Sequence, residues 1–495
     1  MFINLVTENH FMGIQRLVAV ALGLFLCNLL SAQNYQAING SMYAGSLSAG
    51  NNPASIVHVP YKWDITPLSV QTKQATNSFV IHNFSLLSSP NNAEVTATNG
   101  TKKRFLFTNQ DIHLLNTRIK LNSKSAIGFG MNFRSYAYAT TSQNNYQDTA
   151  YSLADFFGVN VNNVPLSGDG AGSAWAEGYL TYSRTLIDDG YKILNAGVSL
   201  KINRSLAGGY VHANDVRYVP DVEDNGRIGY VLTNGNVQYG YSSNFDLIDS
   251  NRSSGANTKS FLKQTYTGVS ADLGIEYILL DNEDESDAYS YKTKIGVSLM
   301  DLGSNRYRHS SRSRYAVAGK ENINDTVLEN KFNFVNSVDD FNDSLATVAD
   351  YLTSLSGDFV IYKPTRLVVN VDQHVTQNFF VNAELTVPLI RLAKNSLYIK
   401  DMNLLALTPR WETKSFGAYL PMQMNIRNQF WIGGALRAGP LLLGTHNLVN
   451  LFSKNSMQNG GFYLALTFRP GKTTDRESGD DEKGSRQKNF DCPKF

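Results

Sequence analysis

Strict alternation between apolar and polar side chains runs through long stretches of this chain. In residues 127–134, every second residue from Ile127 to Phe133 is apolar, and glycine or polar residues lie between them. The same pattern returns in residues 194–203, 269–277, 379–387 and 416–424. A period of two residues is that of a β-strand whose two faces meet different surroundings. The pattern therefore predicts an all-β fold.

Strand length and loop length separate a membrane barrel from a soluble β-sandwich, which also shows alternation. Several predicted strands reach about ten residues, which suits a tilted membrane crossing, whereas strands of globular proteins average about five or six. The short turns fall at residues 122–124, 188–190, 375–377 and 413–415, and the long polar stretches at 141–173, 206–260 and 304–363. Short turns on one side and long loops on the other are typical of an outer-membrane barrel. We therefore predict a transmembrane antiparallel β-barrel.

The beginning of the chain has the pattern of an exported protein. Arg16 supplies a positive charge, residues 17–30 form an apolar run, and Ser31-Ala32 offers small residues for cleavage. This order is that of a secretory signal peptide, and the apolar run is too short to span a membrane comfortably. We predict a signal peptide at residues 1–32 and export to the outer membrane of a Gram-negative cell.

Cysteine count, net charge and hydropathy exclude three classes of protein. The chain has two cysteines, and only Cys492 remains after the predicted cleavage, so a disulfide-stapled scaffold is excluded. The net charge of +2 gives no reason to expect a nucleic-acid partner. No second long apolar run follows the first, which excludes helical membrane spans and leaves a barrel as the means of crossing a bilayer.

Charged residues in the alternating segments fall on the polar faces. A Lys or Arg facing lipid at the bilayer centre would cost about 2–4 kcal/mol, so these side chains are expected to point into the lumen. They are Lys201, Asp272, Glu276 and Glu384. Aromatic residues near the inferred strand ends are expected to form the girdles found at both membrane interfaces. They are Tyr136, Tyr138, Trp175, Trp411 and Trp431.

One amphipathic helix is predicted in the long loop at residues 304–363. Apolar residues recur there at steps of three and four from Val338 to Leu355, and Ser337 can cap the first turn. The helix could pack an ordered surface loop, or it could act as a lid or lumen plug. We favour the packing interpretation.

The end of the chain divides into a closing strand and a tail. Residues 459–468 alternate in a way that resembles the signal read by the barrel-assembly machinery, which makes that machinery an expected partner during biogenesis. The residues of this signal are Asn459, Gly461, Leu464, Leu466 and Phe468. Residues 470–495 are rich in charge and poor in apolar side chains, so a disordered periplasmic tail is predicted.

Asp372 and His374 place a carboxylate and an imidazole on one strand face, which we predict to be luminal. The pair could orient a catalytic histidine or begin a metal site, but no third ligand is evident, and a solvated luminal pair is the simpler interpretation. The sequence contains no Gly-x-Ser-x-Gly, His-Glu-x-x-His or Cys-x-x-Cys motif. We therefore predict no enzyme activity, no cofactor and no metal site.

Two charged loop segments each have a functional and a structural interpretation. A basic run could bind lipopolysaccharide phosphates, although an ordinary solvated loop is favoured. Residues 281–287 resemble a loose calcium loop but lack the glycine and terminal glutamate of an EF-hand, so a charged turn is favoured. The basic run comprises Arg306, Arg308, His309, Arg312 and Arg314.

Three segments resemble known outer-membrane barrels. Asn51-Asn52-Pro53-Ala54 is similar to the Asn-Pro-Ala segment in the N-terminal plug region of long-chain fatty-acid transporter (FadL-like) barrels. Residues 296–299 followed by Asp301-Leu302-Gly303 resemble a strand end that is frequent in these barrels. Residues 438–448 resemble a late segment of uncharacterised outer-membrane barrels of Bacteroidetes, in which an Asp-Asn pair is more usual than His446-Asn447.

This resemblance covers most of the mature chain and carries expectations about fold and function. It implies a barrel of about 14 strands, within a range of 12–16, over residues 61–469. It also implies a plug-like segment at residues 33–60, with Asn52, Pro53 and Ala54 as its motif. Fold alone does not fix a substrate.

Two functions remain open at this point. The first is a channel or transporter for a small hydrophobic molecule. The alternative is a secretion-associated or structural barrel that binds protein partners through its long loops, since a related barrel serves secretion in Bacteroidetes. In both cases outer-membrane lipid and lipopolysaccharide are the expected surroundings. An outer-membrane enzyme built from dispersed residues is the third possibility.

Overall fold

The computed structural model describes residues 36–470, except 90, 92, 149–151, 223–225, 250, 281–289, 322, 390–395 and 455–456. The predicted signal peptide, the predicted tail beyond residue 470 and the acidic segment at 281–287 lie outside the described residues.

The described residues form 24 strands, which are numbered in chain order. The first twelve are β1 (Trp63–Thr76), β2 (Phe79–His82), β3 (Glu94–Ala97), β4 (Gly100–Asn122), β5 (Ser125–Tyr146), β6 (Leu166–Asp188), β7 (Lys192–Val222), β8 (Ile228–Tyr241), β9 (Thr267–Leu280), β10 (Tyr291–Arg308), β11 (Arg314–Val317) and β12 (Tyr351–Ser354). The others are β13 (Asp358–Tyr362), β14 (Arg366–Thr376), β15 (Phe379–Pro388), β16 (Leu397–Tyr398), β17 (Leu404–Glu412), β18 (Phe416–Tyr419), β19 (Met422–Asn425), β20 (Phe430–Ile432), β21 (Gly434–Ala438), β22 (Leu441–Thr445), β23 (Asn459–Gly460) and β24 (Phe462–Phe468).

Fourteen antiparallel spans close into a barrel. Strands β18 and β19 make one span, because both pair with β17. Strands β20 and β21 make the next span, because β20 pairs with β19 and β21 pairs with β18. The ring runs through β1, β4, β5, β6, β7, β9, β10, β14, β15, β17, β18/β19, β20/β21, β22 and β24. It closes where β24 pairs with β1, with Leu466 opposite Leu68. The predicted 14-stranded antiparallel barrel is confirmed.

The outer surface of the barrel is apolar and the inner surface is polar. On β7, Leu200 and Ile202 are 63% and 65% exposed, whereas Lys201 between them is 7% exposed. Val269 on the neighbouring β9 is 74% exposed. Apolar side chains at this exposure on strand after strand form the lipid-facing band of an outer-membrane barrel. Within the described residues, no helix is both long and apolar enough to cross a membrane.

The predicted aromatic girdles are wrong for four of five residues. Tyr136, Tyr138, Trp175 and Trp431 are at most 5% exposed and point inward, and only Trp411 is exposed. Tyr136 lies an even number of residues from the inward-facing Asn132 and Arg134, so strand alternation sets its direction. Inside, the polar tips of the aromatic side chains find partners, since the Tyr136 hydroxyl donates to Asp111 (2.9 Å) and the Trp175 indole to Glu177 (2.8 Å).

The side with the long loops carries further structure, including five α-helices among the described residues. These helices are α1 (Leu153–Val159), α2 (Ser254–Lys263), α3 (Asp325–Phe332), α4 (Val338–Val348) and α5 (Val449–Phe452). The predicted helix is α4, and the Ser337 hydroxyl caps it by accepting from the Asp340 backbone N–H at 3.0 Å. It ends at Val348, earlier than predicted, because Leu352 belongs to β12. The other four helices were not predicted.

Helix α4 packs against a sheet that continues the barrel wall outward. Strands β7, β8, β11 and β12 form this sheet through successive antiparallel pairings. Leu345 and Val348 of α4 pack with Phe332 and with Ala316 of β11 in one apolar cluster. These contacts agree with the packing interpretation of the helix.

Candidate functional site: the barrel interior

A short N-terminal segment, residues 36–60, lies against the inner wall of the barrel. The side-chain amides of Asn39 and Asn51 both donate to the Glu384 carboxylate on β15, at 2.7 and 2.9 Å. The Ser55 hydroxyl donates to Glu276 on β9 at 2.6 Å. Other wall contacts of the segment involve Asp64, Arg118, Ser183, Lys294, Ser298 and Glu412. Since these partners come from strands all round the ring, the segment lies within it.

The Asn52-Pro53-Ala54 motif forms a local structure that also attaches to the wall. Asn52 caps the 3₁₀ helix Pro53–Ile56, because its side-chain oxygen accepts from the Ala54 backbone N–H at 2.9 Å. Its side-chain nitrogen donates to the Ile275 carbonyl oxygen of β9, also at 2.9 Å. Proline suits the first helical position because its ring fixes φ and no backbone donor is needed there.

Three glycines on neighbouring strands make room for this motif. Gly197 of β7 is the direct pairing partner of Gly274 of β9, and Gly296 lies on the adjacent β10. A Cβ atom at Gly197 would lie 2.4–2.6 Å from backbone atoms of Pro53 and Ala54. A Cβ at Gly274 would lie 2.0 Å from the Asn52 side chain. The glycines therefore permit the close approach of the two backbones.

Above this segment, four cations and four carboxylates form one buried cluster, here called the charge network. Its members are Asp111, Arg134, Glu177, Lys201, Asp272, Asp301, Lys363 and Arg366. Each is at most 7% exposed. Because the numbers of opposite charges are equal and each member has a direct partner, their burial is compensated within the cluster.

Asp301 is the centre of the charge network. Its carboxylate contacts Arg134 at 2.5 Å, Arg366 at 2.6 Å and Lys201 at 3.0 Å. The pairing of β10 with β9 gains one extra residue between Leu299 and Leu302, so Asp301 lies in a β-bulge. Its φ of +59° is left-handed, a conformation that aspartate tolerates better than most residues. The strand end expected here is instead a bulge, and β10 continues to Arg308.

The extracellular end of the interior is apolar. Inward-facing side chains of seven strands form this cluster together with residues of the loop before β17, and we call it the aromatic cluster. It includes Phe105, Phe107, Tyr136, Tyr138, Trp175, Tyr210, Tyr307, Phe359, Ile361, Ile399 and Met402. Between the N-terminal segment and the charge network lies a cavity of about 40 Å³. That volume holds about three water molecules, so this cavity has no room for an organic ligand.

The structure places the predicted luminal residues in three different settings. Lys201 and Asp272 belong to the charge network, 2.7 Å apart. Glu276 and Glu384 hold the N-terminal segment. Asp372 pairs with Arg410 at 2.5 Å and also accepts from the Tyr291 hydroxyl at 2.7 Å.

His374 has a hydrogen-bond partner other than Asp372. Its ring nitrogen lies 2.8 Å from the Gln377 carbonyl oxygen at the turn between β14 and β15. The pair considered for catalysis is therefore divided between a buried ion pair and a turn. Among the residues with described positions, no group of three or more His, Cys, Asp or Glu is arranged to hold a metal ion.

Sequence reasoning missed most of the charge network. Arg134 was on a polar face and could have been included by its alternation. Asp301 could not, because its direction depends on the bulge. Lys363 lies between β13 and β14, where no alternation was visible. Its ammonium donates to Glu177 at 3.0 Å only because the barrel closes.

The basic run from the end of β10 to the start of β11 is paired within the protein. Arg306 and Arg308 both contact Asp358, at 2.5 and 3.7 Å. Arg312 contacts Asp246 at 3.2 Å and Asp339 at 2.6 Å. These internal partners favour the interpretation as a solvated loop over a phosphate site.

One family model matches most of the chain. It is described as a family of unknown function (DUF5723), and the match covers residues 53–446. The matched region runs from the proline of the Asn-Pro-Ala motif to the end of β22. No curated protein sequence matches the chain.

Solved structures similar to the chain at low sequence identity include the following three. The TodX deltaS2S3 mutant monoaromatic hydrocarbon channel is 10% identical, with 89% of this chain and 98% of that chain covered and a TM-score of 0.41. The toluene transporter TbuX of Ralstonia pickettii is 9% identical, with coverages of 86% and 94% and a TM-score of 0.38. A FadL homologue of Pseudomonas aeruginosa is 9% identical, with coverages of 89% and 98% and a TM-score of 0.23.

Proposed function

The chain belongs to the family of unknown function DUF5723, and we propose that it is an outer-membrane channel or transporter for a small hydrophobic molecule. In this proposal residues 36–60 are a plug that closes the lumen, and the state described here is the closed one. The plug leaves its place, or rearranges within it, when cargo passes.

One observation carries this proposal, namely that a segment of chain outside the barrel wall occupies part of the lumen. A barrel of about eight strands is filled by its own side chains, whereas barrels of about 16–18 strands leave an aqueous channel. A barrel of fourteen spans lies between these sizes. Here a segment of about 25 residues occupies interior space that the wall side chains leave open. The wall holds it through hydrogen bonds such as Asn39 and Asn51 to Glu384. Water can replace such bonds, so the segment can be displaced at moderate cost.

The aromatic cluster supports a hydrophobic cargo. It lines the extracellular end of the interior, so a molecule arriving from outside meets phenyl and phenol rings before it meets the charge network. Burial of apolar surface against such side chains is favourable by about 25 cal/mol per Å². Polar nutrients would gain little from this surface, which makes an apolar molecule the better match.

The test is single-channel conductance in planar bilayers, with and without residues 33–60. We expect the shortened protein to show a several-fold higher conductance, because removal of the plug leaves polar wall residues that water can solvate. Heat-dependent mobility on detergent gels verifies that both forms are folded barrels. If both are folded and both fail to conduct, the charge network or the aromatic cluster closes the lumen independently, and the channel proposal is contradicted.

A second candidate function is supported by the extracellular sheet. Strand β7 has 31 residues, whereas about 9–11 suffice to cross a membrane. Together with β8, β11 and β12 it extends far beyond the lipid band and carries α3 and α4. This ordered surface suits a secretion-associated or structural barrel that binds a protein partner. Affinity capture by the full-length protein, lost when residues 314–354 are deleted from a barrel that still folds, would favour this function.

A further inference from the structure

Lys73 is a buried cation with no counter-ion among the described residues. It lies on the inner face of β1 and is 2% exposed. Among the described residues its ammonium has no hydrogen-bond partner and no carboxylate within salt-bridge distance. Lys201 and Lys363 differ, since each contacts a carboxylate directly. Lys294, also buried, donates to the Gly40 carbonyl oxygen. An unpaired buried charge is among the most costly features a fold can contain.

Polar groups on β1 and on the last spans also lack partners among the described residues. The Trp431 indole nitrogen, both ring nitrogens of His446 and the Gln71 side-chain nitrogen have no partner among the described residues. Their side chains are at most 4% exposed. The Lys73 ammonium lies 5.9 Å from the centre of the Trp431 ring. We call Gln71, Lys73, Trp431 and His446 the seam pocket, because they lie where the last spans close onto β1.

The acidic groups near Lys73 do not form an ion pair with its ammonium. Asp401 and Glu384 are the acidic groups whose charge acts on Lys73. Asp401 already accepts from the Asn109 side chain at 3.0 Å and from the Met402 backbone N–H at 2.8 Å. Glu384 accepts from the two asparagines of the N-terminal segment. Both carboxylates are therefore engaged elsewhere, beyond salt-bridge distance of Lys73.

The geometry points to an anion-binding site: we propose that the seam pocket binds a small oxyanion, such as a carboxylate group. An ammonium, an indole N–H, an amide NH₂ and an imidazole N–H all donate, and an oxyanion accepts from several donors at once. Water could accept these hydrogen bonds, but it cannot neutralise the charge of Lys73. The proposal does not depend on the barrel being a channel, because the site lies in the wall beside the plug.

Acetate and phosphate are the probes that test this proposal. The full-length protein in detergent is unfolded with urea while sodium chloride is replaced by sodium acetate or sodium phosphate at constant ionic strength. We expect a saturable rise in the urea midpoint, since a ligand that binds only the folded state stabilises it. A saturable change in tryptophan emission, absent from Trp431→Phe, should accompany the rise. Response to acetate alone indicates a carboxylate ligand, and response to phosphate alone an inorganic oxyanion.

Two lysine variants make the test specific. Lys73→Met removes the buried charge and should weaken the apparent affinity for the probe by about tenfold or more. Lys192→Met is the control, because it removes the same charge from an exposed ion pair with Asp189 at a turn. It should respond as the parent does. If Lys73→Met does not fold, Trp431→Phe replaces it, with a weaker loss expected. Equal responses of the parent, the pocket variant and Lys192→Met would overturn the proposal.

Discussion

Asp301→Asn should lower the free energy of unfolding of the barrel by about 3–5 kcal/mol, the usual loss when one partner of a buried ionic cluster is removed. The carboxylate of Asp301 contacts Arg134, Lys201 and Arg366 at 2.5–3.0 Å in the centre of the charge network. Its replacement leaves the buried cluster with four cations and three carboxylates, so one positive charge is no longer balanced. Asparagine also tolerates the left-handed backbone, so the change isolates the charge from the bulge. Urea unfolding in detergent measures the loss.

Asp215→Asn is the matched control for this prediction. Asp215 also has a positive φ, of +52°, and also pairs with an arginine, Arg217 at 2.7 Å. That pair is 49% and 40% exposed, and exposed ion pairs contribute about 0–1 kcal/mol. We expect the control to lose less than about 1 kcal/mol. If the two variants lose equal stability, the charge network does not hold the interior together as described.

Gly197→Val should expel the N-terminal segment from its place without removing any of it. A Cβ at this position would lie 2.4–2.6 Å from backbone atoms of Pro53 and Ala54, and backbone cannot give way as a flexible side chain can. Strand β7 is held by β6 on one side and β9 on the other, so the segment rather than the wall must move. Valine favours strands, so the barrel should still form. We expect a several-fold rise in single-channel conductance and faster proteolysis of residues 36–60.

The control for this prediction is Gly178→Val on the neighbouring β6. Gly178 faces outward, and a Cβ there would meet no atom within 4 Å. The same substitution should therefore leave conductance and proteolysis unchanged. A folded Gly197→Val barrel that keeps the parent conductance would show that displacement of the motif does not open the lumen.

The outer face of the barrel could be read from the sequence. Lipid accepts only apolar side chains, so every span must repeat the period of two, as Leu200 and Ile202 do around Lys201. The same parity also gave the inward direction of Asp272, Glu276 and Glu384. The same alternation argues against the predicted aromatic girdles. Tyr136 and Tyr138 lie two and four residues after Arg134, so they face the same side of β5 as Arg134 does.

The partners inside the barrel could not be read in this way. The alternation of side chains along β14 predicts that Asp372 points inward. Only the closed ring brings Arg410 to 2.5 Å from Asp372 and leaves His374 at a turn. Contacts across the lumen join residues that are far apart in the chain, such as Asn39 and Glu384. No local pattern encodes such distances.

The alternation along the chain was enough to predict the two faces of the strands and an antiparallel membrane barrel, because the membrane imposes one local rule on every span. The pairing of the inward charges, the position of the N-terminal segment and the lack of a counter-ion for Lys73 among the described residues are visible only in the folded ring. Those outcomes depend on the width and register of the ring and on a single bulge at Asp301. Inside the ring each side chain contacts residues from strands that are distant in the sequence, so local patterns do not predict its partners.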